Sequence, residues 1–262
     1  MEMPLEIGPE RYRRNDAYIY ARDGKLRFDQ RRLASLVGYV AFGLPTTLIV
    51  GSFLTQHRTS ISGYYYETFL LGDVFVGALI FVGALLLSYR GWTPSVALLA
   101  TMAGFAATGV AIFPTRGWQA EIVPAWLEAA SPLLHLASAA LLFSLLAFFC
   151  FFVFTKVDPD QLEEDAQPCQ SKRMRDRIYR ICGTVIVASM AAIAIGLAAD
   201  QDWANTLRLV FWSETVALFA FGVSWMTQGR LSGKILMDPG DIRDRKVAHK
   251  SEELAEIVED AG

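Results

Sequence analysis

The sequence predicts an all-α integral membrane protein, a six-transmembrane-helix bundle with both termini in the cytosol. Hydrophobic residues make up 53% of the 262-residue chain and charged residues only 19%, a composition too apolar for a soluble domain of this size. The charged residues are confined to the two ends and to one middle segment, with long apolar runs between them. The basic residues also fall on one side of those runs, which is typical of a multi-pass membrane protein.

Six apolar stretches are long enough to cross a bilayer, whose hydrocarbon core of about 30 Å requires roughly 20 helical residues. These stretches span residues 33–54, 69–89, 95–113, 132–154, 178–199 and 207–226. Helices are predicted instead of a barrel because the runs are continuous and do not alternate. Pro45 inside the first stretch predicts a kink. Glycines recur in the second and third stretches, where small residues let helix backbones approach closely.

The basic residues predict the orientation, because Lys and Arg favour the cytosolic side of a membrane. With six spans, 21 of the 24 Lys and Arg residues fall on one side, and only Arg58, Arg116 and Arg208 fall on the other. We therefore predict a multi-pass inner-membrane protein with cytosolic termini. Membrane lipids are the expected partners, and the net charge of −3 gives no reason to expect a nucleic-acid partner.

The chain divides into a basic leader at 1–32, the transmembrane domain at 33–226 and a charged tail at 227–262. Within the leader, Asp23-Gly24 suits the turn of a short cytosolic hairpin that runs from Tyr18 to Phe28. The segment between the fourth and fifth spans is expected to be a solvated linker. The charged termini are candidate docking sites for a protein partner in the cytosol.

Polar residues collect at the predicted outer ends of the spans and form the candidate functional site. Glu214 lies about two turns into the sixth span, where a carboxylate needs a partner from another span. His135 in the fourth span is the first candidate for that partner, although a structural hydrogen bond is favoured for it. Asp73 in the second span is either a helix cap or a functional group. The whole outer-face polar cluster comprises Ser60, Ser62, Tyr65, Glu67, Asp73, His135 and Glu214.

No metal and no cofactor is predicted. The weak metal-ligand candidates are His57, Asp73, His135 and Glu214, and no two of them stand at close ligand spacing. Ser131-x-x-x-His135 resembles one element of alkaline ceramidase-like membrane hydrolases, but the sixth span lacks the paired histidines that those enzymes need. The three cysteines fit no zinc pattern and lie toward the cytosolic side, so no disulfide is expected: Cys150, Cys169 and Cys182.

Three segments together resemble a group of bacterial six-span membrane proteins that are distantly similar to the damage-regulated autophagy modulator-like family. The segments begin with Thr59-Ser60-Ile61-Ser62 leading into Gly72-Asp73, with Gly104-Phe105-Ala106, and with His135-Leu136-Ala137. The resemblance covers roughly residues 33–226. It implies a six-span bundle with an outward-facing polar cluster and no known reaction.

Three functions remain open at this point. The leading hypothesis is a non-enzymatic sensor, scaffold or lipid-binding bundle. The alternative is an intramembrane hydrolase or lipid-modifying enzyme that uses Asp73, His135 and Glu214, with a carboxylate as general base. A small proton-coupled transporter, with Glu214 as the titrating group, is the third hypothesis.

Overall fold

The computed structural model of the protein describes residues 18–20, 26–28, 30–55, 57–67, 70–91, 93–118, 122–156, 170–198 and 201–229. Two short strands, β1 (Tyr18–Tyr20) and β2 (Leu26–Phe28), pair antiparallel and place Tyr18 opposite Phe28. They are the two arms of the predicted leader hairpin, and the turn between them lies outside the described residues. The rest of the leader before Tyr18, Cys169 and the tail beyond Gly229 also lie outside them.

The described residues include six helices that are long and apolar enough to cross a membrane, which confirms the predicted helical class and the number of membrane-length helices. In chain order they are α1 (Gln30–Gly51), α2 (Leu71–Ser88), α3 (Pro94–Ile112), α4 (Ala125–Phe148), α5 (Gln170–Ala198) and α7 (Leu209–Gln228). A π-helical segment (Phe149–Val153) extends α4, and a short helix, α6 (Gln201–Thr206), precedes α7.

Two helices begin at least seven residues earlier than the sequence predicts. The fourth begins at Ala125 instead of residue 132, and the fifth begins at Gln170 instead of residue 178. Apolarity marks only the part of a helix that lies in hydrocarbon, whereas a helix can continue into water. The expectation of a solvated linker between the fourth and fifth spans is therefore wrong for its last residues, which form the first turns of α5. Lys172 and Arg175 in these turns are only 1% and 2% exposed.

The membrane-length helices form a ring in which α1, α2, α3, α4, α5 and α7 follow one another and α7 returns to α1. Hydrogen bonds show that α2 runs opposite to α1 and that α7 runs opposite to α5. Gln30 Oε1 at the start of α1 accepts from the backbone N–H of Arg90 after α2, at 2.7 Å. Tyr179 in the first half of α5 donates to Gln228 Oε1 at the end of α7, at 3.0 Å.

The bundle therefore has two ends of different character. We call the end that holds residues 30–33, 89–91, 154–156, 170–180 and 226–229 the basic end. The opposite end, with residues 57–67 and 113–118 and the first turns of α2, α4 and α7, is the loop end. Of the described cations, only Arg58, Arg116 and Arg208 lie at the loop end. The basic end has Arg31, Arg32, Arg90, Lys156, Lys172, Arg173, Arg175, Arg177 and Arg180.

An aromatic cluster fills the core toward the basic end. Trp225 of α7 is fully buried, and its ring centroid lies 5.1 Å from that of Tyr89, 5.6 Å from Phe149 and 5.4 Å from Phe154. These rings come from α7, from the residue that follows α2 and from the extension of α4. The cluster therefore joins non-consecutive helices across the ring through tilted and edge-on ring contacts.

The outward-facing surface of the bundle is apolar. In the apolar 18-residue stretch of each membrane-length helix, only 28% to 50% is buried inside the protein. The mean hydropathy of these stretches nevertheless lies between 1.4 and 2.5. Leu98, Phe105 and Leu133 are among the large apolar side chains that are more than 60% exposed. A monomeric protein in water rarely exposes a continuous apolar surface of this extent, whereas lipid acyl chains would cover it.

Candidate functional site

Glu214 at the loop end connects α7 to the segment that follows α1. Its Oε2 accepts a hydrogen bond from the backbone N–H of Ile61 at 2.6 Å, and its Oε1 accepts one from Ser62 Oγ at 3.3 Å. The prediction that His135 is the partner of Glu214 is wrong, because both hydrogen bonds to Glu214 come from residues 57–67. A buried N–H and a hydroxyl thus satisfy a carboxylate that would otherwise face an apolar environment.

Short-range hydrogen bonds hold the residues that receive Glu214. Ser60 Oγ accepts from the backbone N–H of Gly63 at 2.9 Å and lies 3.2 Å from Ser62 Oγ. These bonds fix the turn that enters a 3-10 helix (Ser62–Tyr66). These local hydrogen bonds therefore help to orient the backbone N–H of Ile61 toward Glu214 of α7.

An ion pair closes the same segment. Glu67 Oε1 lies 2.5 Å from Arg58 Nε and 2.5 Å from one terminal nitrogen of that guanidinium. The side chain of Glu67 is 11% exposed and that of Arg58 is 33% exposed, so solvent screens the pair only in part. Glu67 of the predicted cluster therefore stabilises residues 57–67 through its ion pair with Arg58.

A second loop-end segment, residues 113–118, is held by one face of α4. His135 Nδ1 lies 2.7 Å from the carbonyl oxygen of Phe113, and Ser131 Oγ donates to the carbonyl oxygen of Pro114 at 2.8 Å. One turn earlier, Glu128 Oε2 accepts from the backbone N–H of Trp118 at 2.9 Å. Spacings of three and four residues place these side chains on the same side of a helix. The structural hydrogen bond predicted for His135 is therefore made with the carbonyl oxygen of Phe113.

Tyr66 joins the two loop-end segments. Its hydroxyl accepts from the backbone N–H of Arg116 at 2.5 Å and donates to the carbonyl oxygen of Gly117 at 3.2 Å. We call segments 57–67 and 113–118, joined in this way, the cap. The neighbouring ring of Tyr65 packs edge-on against Tyr66, and its partial burial raises the pKa of the Tyr65 phenol, with a further contribution from the Tyr66 hydroxyl. Tyr65 therefore stays protonated at neutral pH.

Two candidates from the sequence take no part in this network. Asp73 lies in the first turn of α2 with its side chain exposed, and it makes no hydrogen bond or ion pair with any described residue. A carboxylate there interacts favourably with the helix dipole. His57 is also exposed, and its ring lies edge-on to that of Phe53, with centroids 6.1 Å apart.

The four metal-ligand candidates are not brought together. Within the described ranges, no three His, Cys, Asp or Glu side chains lie close enough to hold a metal ion. His57 and Asp73 are exposed, whereas His135 and Glu214 bond to different segments of the cap. Cys150 and Cys182 are buried free thiols near the basic end, far along the chain from the cap.

Sequence reasoning missed Glu128 and Tyr66, which together with Ser131 connect the cap. A usable signal was present, because Glu128, Ser131 and His135 repeat at helical spacing. The prediction that the fourth span begins at residue 132 hid this signal by placing Glu128 and Ser131 outside the helix.

Two buried hydroxyls next to the Glu214 contact have no hydrogen-bond partner within the described part of the chain. They belong to Tyr64, which is fully buried, and to Thr215, which is 1% exposed. Tyr64 follows Ile61 by one turn of the 3-10 helix, and Thr215 follows Glu214 directly. One of these hydroxyls therefore lies in the cap and the other in α7, on the two sides of the contact that Glu214 makes.

Comparison with protein-family models, with curated proteins and with solved structures gave no match. Each of the loop-end groups Glu67, Glu128, Ser131, His135 and Glu214 contacts backbone or side-chain groups of the cap. What this arrangement does is to hold two connecting segments against the bundle.

Proposed function

We propose that the protein is a non-enzymatic multi-pass membrane protein, a lipid-binding scaffold bundle whose loop-end polar cluster holds the cap in place. The hydrogen bond between Glu214 Oε2 and the N–H of Ile61, at 2.6 Å, carries the proposal. It assigns a structural task to the one carboxylate of α7 that the sequence marks as a functional candidate.

The enzyme alternative would require a base and its partner within hydrogen-bond reach of one another, about 3 Å. Asp73 is exposed, His135 bonds to Phe113, and Glu214 bonds to Ile61. This separation favours the scaffold over a hydrolase that uses these three residues. The likeness to the damage-regulated autophagy modulator-like family, which implies no reaction, is part of the same proposal.

The proposal includes orientation. The basic end, with nine of the twelve described cations outside the strands, is placed in the cytosol, and the cap is placed on the outer side of the inner membrane. The segments that precede α1 and follow α7 then share the cytosolic side. Charge asymmetry and the alternating helix directions support this assignment together, because neither alone would put both segments on one side.

Cysteine labelling tests the orientation. His57→Cys and Arg90→Cys place thiols at exposed positions of the loop end and the basic end, respectively. Both are made with Cys169→Ser, since Cys150 and Cys182 are buried. In intact spheroplasts a membrane-impermeant maleimide should label residue 57 and should label residue 90 only after permeabilisation. The reverse pattern, or equal labelling of both, contradicts the proposed orientation, and the parent without an added cysteine gives the background.

Stability measurements test the structural task of Glu214. Glu214→Ala leaves the N–H of Ile61 without its acceptor and should lower the free energy of unfolding in detergent by about 1–2 kcal/mol. Glu214→Gln keeps an acceptor and should lose less. Asp73→Asn is the matched control and should be neutral, because Asp73 is exposed and has no described partner.

The opposite outcome is equally informative. If Glu214→Gln keeps full stability but abolishes a turnover or a proton-linked uptake of the purified protein, the scaffold proposal fails. Stoichiometric zinc in the wild-type protein would contradict it as well, because no metal has a role in the proposed scaffold.

A further inference from the structure

A groove opens toward lipid between α4 and α5, in the half of the bundle nearer the basic end. Its volume is about 550 Å³, and its lining is almost wholly apolar. Its lining includes Phe148, Phe151, Phe152, Val187, Met190 and Ala191. α5 is the least buried of the membrane-length helices: 28% of its apolar 18-residue stretch is buried, against 39–50% in the other five helices. The groove is therefore a place where lipid meets the protein along a concave wall.

Cations stand directly below the groove, toward the basic end. Arg180 precedes Val187 by two helical turns, a rise of about 10 Å, and therefore lies on the same face of α5. Arg177 lies about one turn further from the groove, roughly 60° around α5 from Arg180. On the α4 side, Lys156 follows the π-helical segment that forms the groove wall.

These three cations are available for a ligand. The side chains of Lys156, Arg177 and Arg180 are exposed, and none of them makes an ion pair or hydrogen bond with a residue of the described ranges. Their positions at the junction of an apolar helix face and a charged one match the level at which phospholipid phosphates lie. Long basic side chains reach that level readily from the ends of spans.

We propose that this groove is a binding site for an anionic phospholipid, with an acyl chain along the α4–α5 wall and the phosphate on Lys156, Arg177 and Arg180. The proposal rests on the lipid-binding scaffold proposed above and names its lipid class and its place. The apolar wall selects a hydrocarbon chain, and the three exposed cations select a negative headgroup. Guanidinium groups also match phosphate oxygens bidentately, which adds geometric preference to charge.

Charge argues against a second copy of the chain as the occupant. A two-fold dimer through this groove would bring two like clusters of Lys156, Arg177 and Arg180 toward each other. Like-charge juxtaposition at an interface is unfavourable, whereas an anionic lipid neutralises the cluster.

Native mass spectrometry of the purified, delipidated full chain tests the site. With equal amounts of dioleoyl phosphatidylglycerol and dioleoyl phosphatidylcholine, the protein should preferentially retain the anionic phosphatidylglycerol. Arg177→Gln combined with Arg180→Gln should reduce that preference on the order of 25-fold, since each cation near a membrane surface contributes roughly a fivefold effect. Arg90→Gln combined with Arg116→Gln removes the same charge away from the groove and should leave the preference unchanged.

The acyl-chain half of the site has its own test. Ala191→Phe fills the groove and should reduce retention of phosphatidylglycerol, whereas Ala188→Phe adds the same ring to an exposed position of α5 outside the groove lining. Equal effects of the two variants would overturn the site. So would displacement of the lipid by millimolar inorganic phosphate, or a dimer that is lost in Ala191→Phe.

The failure of this inference is distinguishable from that of the proposed function. Correct cysteine labelling together with equal retention of the two lipids refutes the groove alone. Labelling of residue 90 from outside refutes the proposed orientation, whatever the lipid preference.

Discussion

The carboxylate of Glu214 and the backbone N–H of Ile61 are joined by a 2.6 Å hydrogen bond across 153 residues of sequence. This bond ties the start of the last membrane-length helix to the segment that follows the first one. It closes the ring of helices at the loop end, where α1 and α7 are neighbours. The cap is thereby attached to the bundle at α7 as well as at α4.

A double-mutant cycle should detect the coupling of Glu214 to Ser62. Their hydrogen bond is 3.3 Å long, so Ser62→Ala and Glu214→Gln should be non-additive in the free energy of unfolding by about 0.5–1 kcal/mol. Thr59→Ala is the control, because Thr59 is exposed in the same segment and has no hydrogen-bond partner among the described residues. A coupling no larger for Ser62 than for Thr59 would show that the hydroxyl does not contribute.

Hydrogen exchange should resolve how Tyr66 joins the two parts of the cap. Tyr66→Phe removes the acceptor of the Arg116 N–H, so exchange of that amide should become faster, while exchange at Trp118 should change little. Tyr65→Phe is the matched control, since the Tyr65 hydroxyl does not bond to Arg116. Unchanged exchange at Arg116 in Tyr66→Phe would argue that the short contact does not persist in solution.

Gly117 should be intolerant of a side chain for two reasons. Its φ of +76° lies in the left-handed region, and an added Cβ would collide with the carboxylate of Glu128. Gly117→Ala should lower the free energy of unfolding by roughly 1–3 kcal/mol. In a Glu128→Ala background, which itself loses the hydrogen bond to Trp118, the collision is absent and Gly117→Ala should cost less than in the wild type. An equal cost of Gly117→Ala in the two backgrounds would contradict the steric explanation.

Two glycines of α1 offer a matched test of helix packing. A Cβ on Gly38 would come within 2.8 Å of the carbonyl oxygen of Gly222 and within 2.6 Å of the backbone nitrogen of Met226, whereas a Cβ on Gly43 meets nothing within 4 Å. Gly38→Ala should therefore separate α1 from α7 and lower thermal stability in detergent.

Gly43→Ala should be neutral or stabilising by about 0.5–1 kcal/mol, since alanine is the better helix former. Similar behaviour of the two variants would mean that α1 and α7 do not approach as closely as described.

Part of the fold follows from local sequence and was predictable for that reason. Membrane-length apolar runs and the placement of Lys and Arg are properties of neighbouring residues, and they identify the helices and their alternation. Helix ends were less predictable, because hydropathy marks the hydrocarbon and not the helix. That is why Ala125 and Gln170, which begin α4 and α5, lie outside the predicted spans.

The sequence by itself determined that polar side chains lie at the loop end and that Glu214 needs a partner. Only the tertiary structure decided that this partner is Ile61 and not His135, that Asp73 stays exposed, and that an apolar groove lies above Arg180. The physical reason is separation along the chain. A carboxylate in an apolar environment needs a hydrogen-bond donor, and the residue type alone predicts that need. The donor itself comes from whichever distant segment the packing of helices brings within about 3 Å.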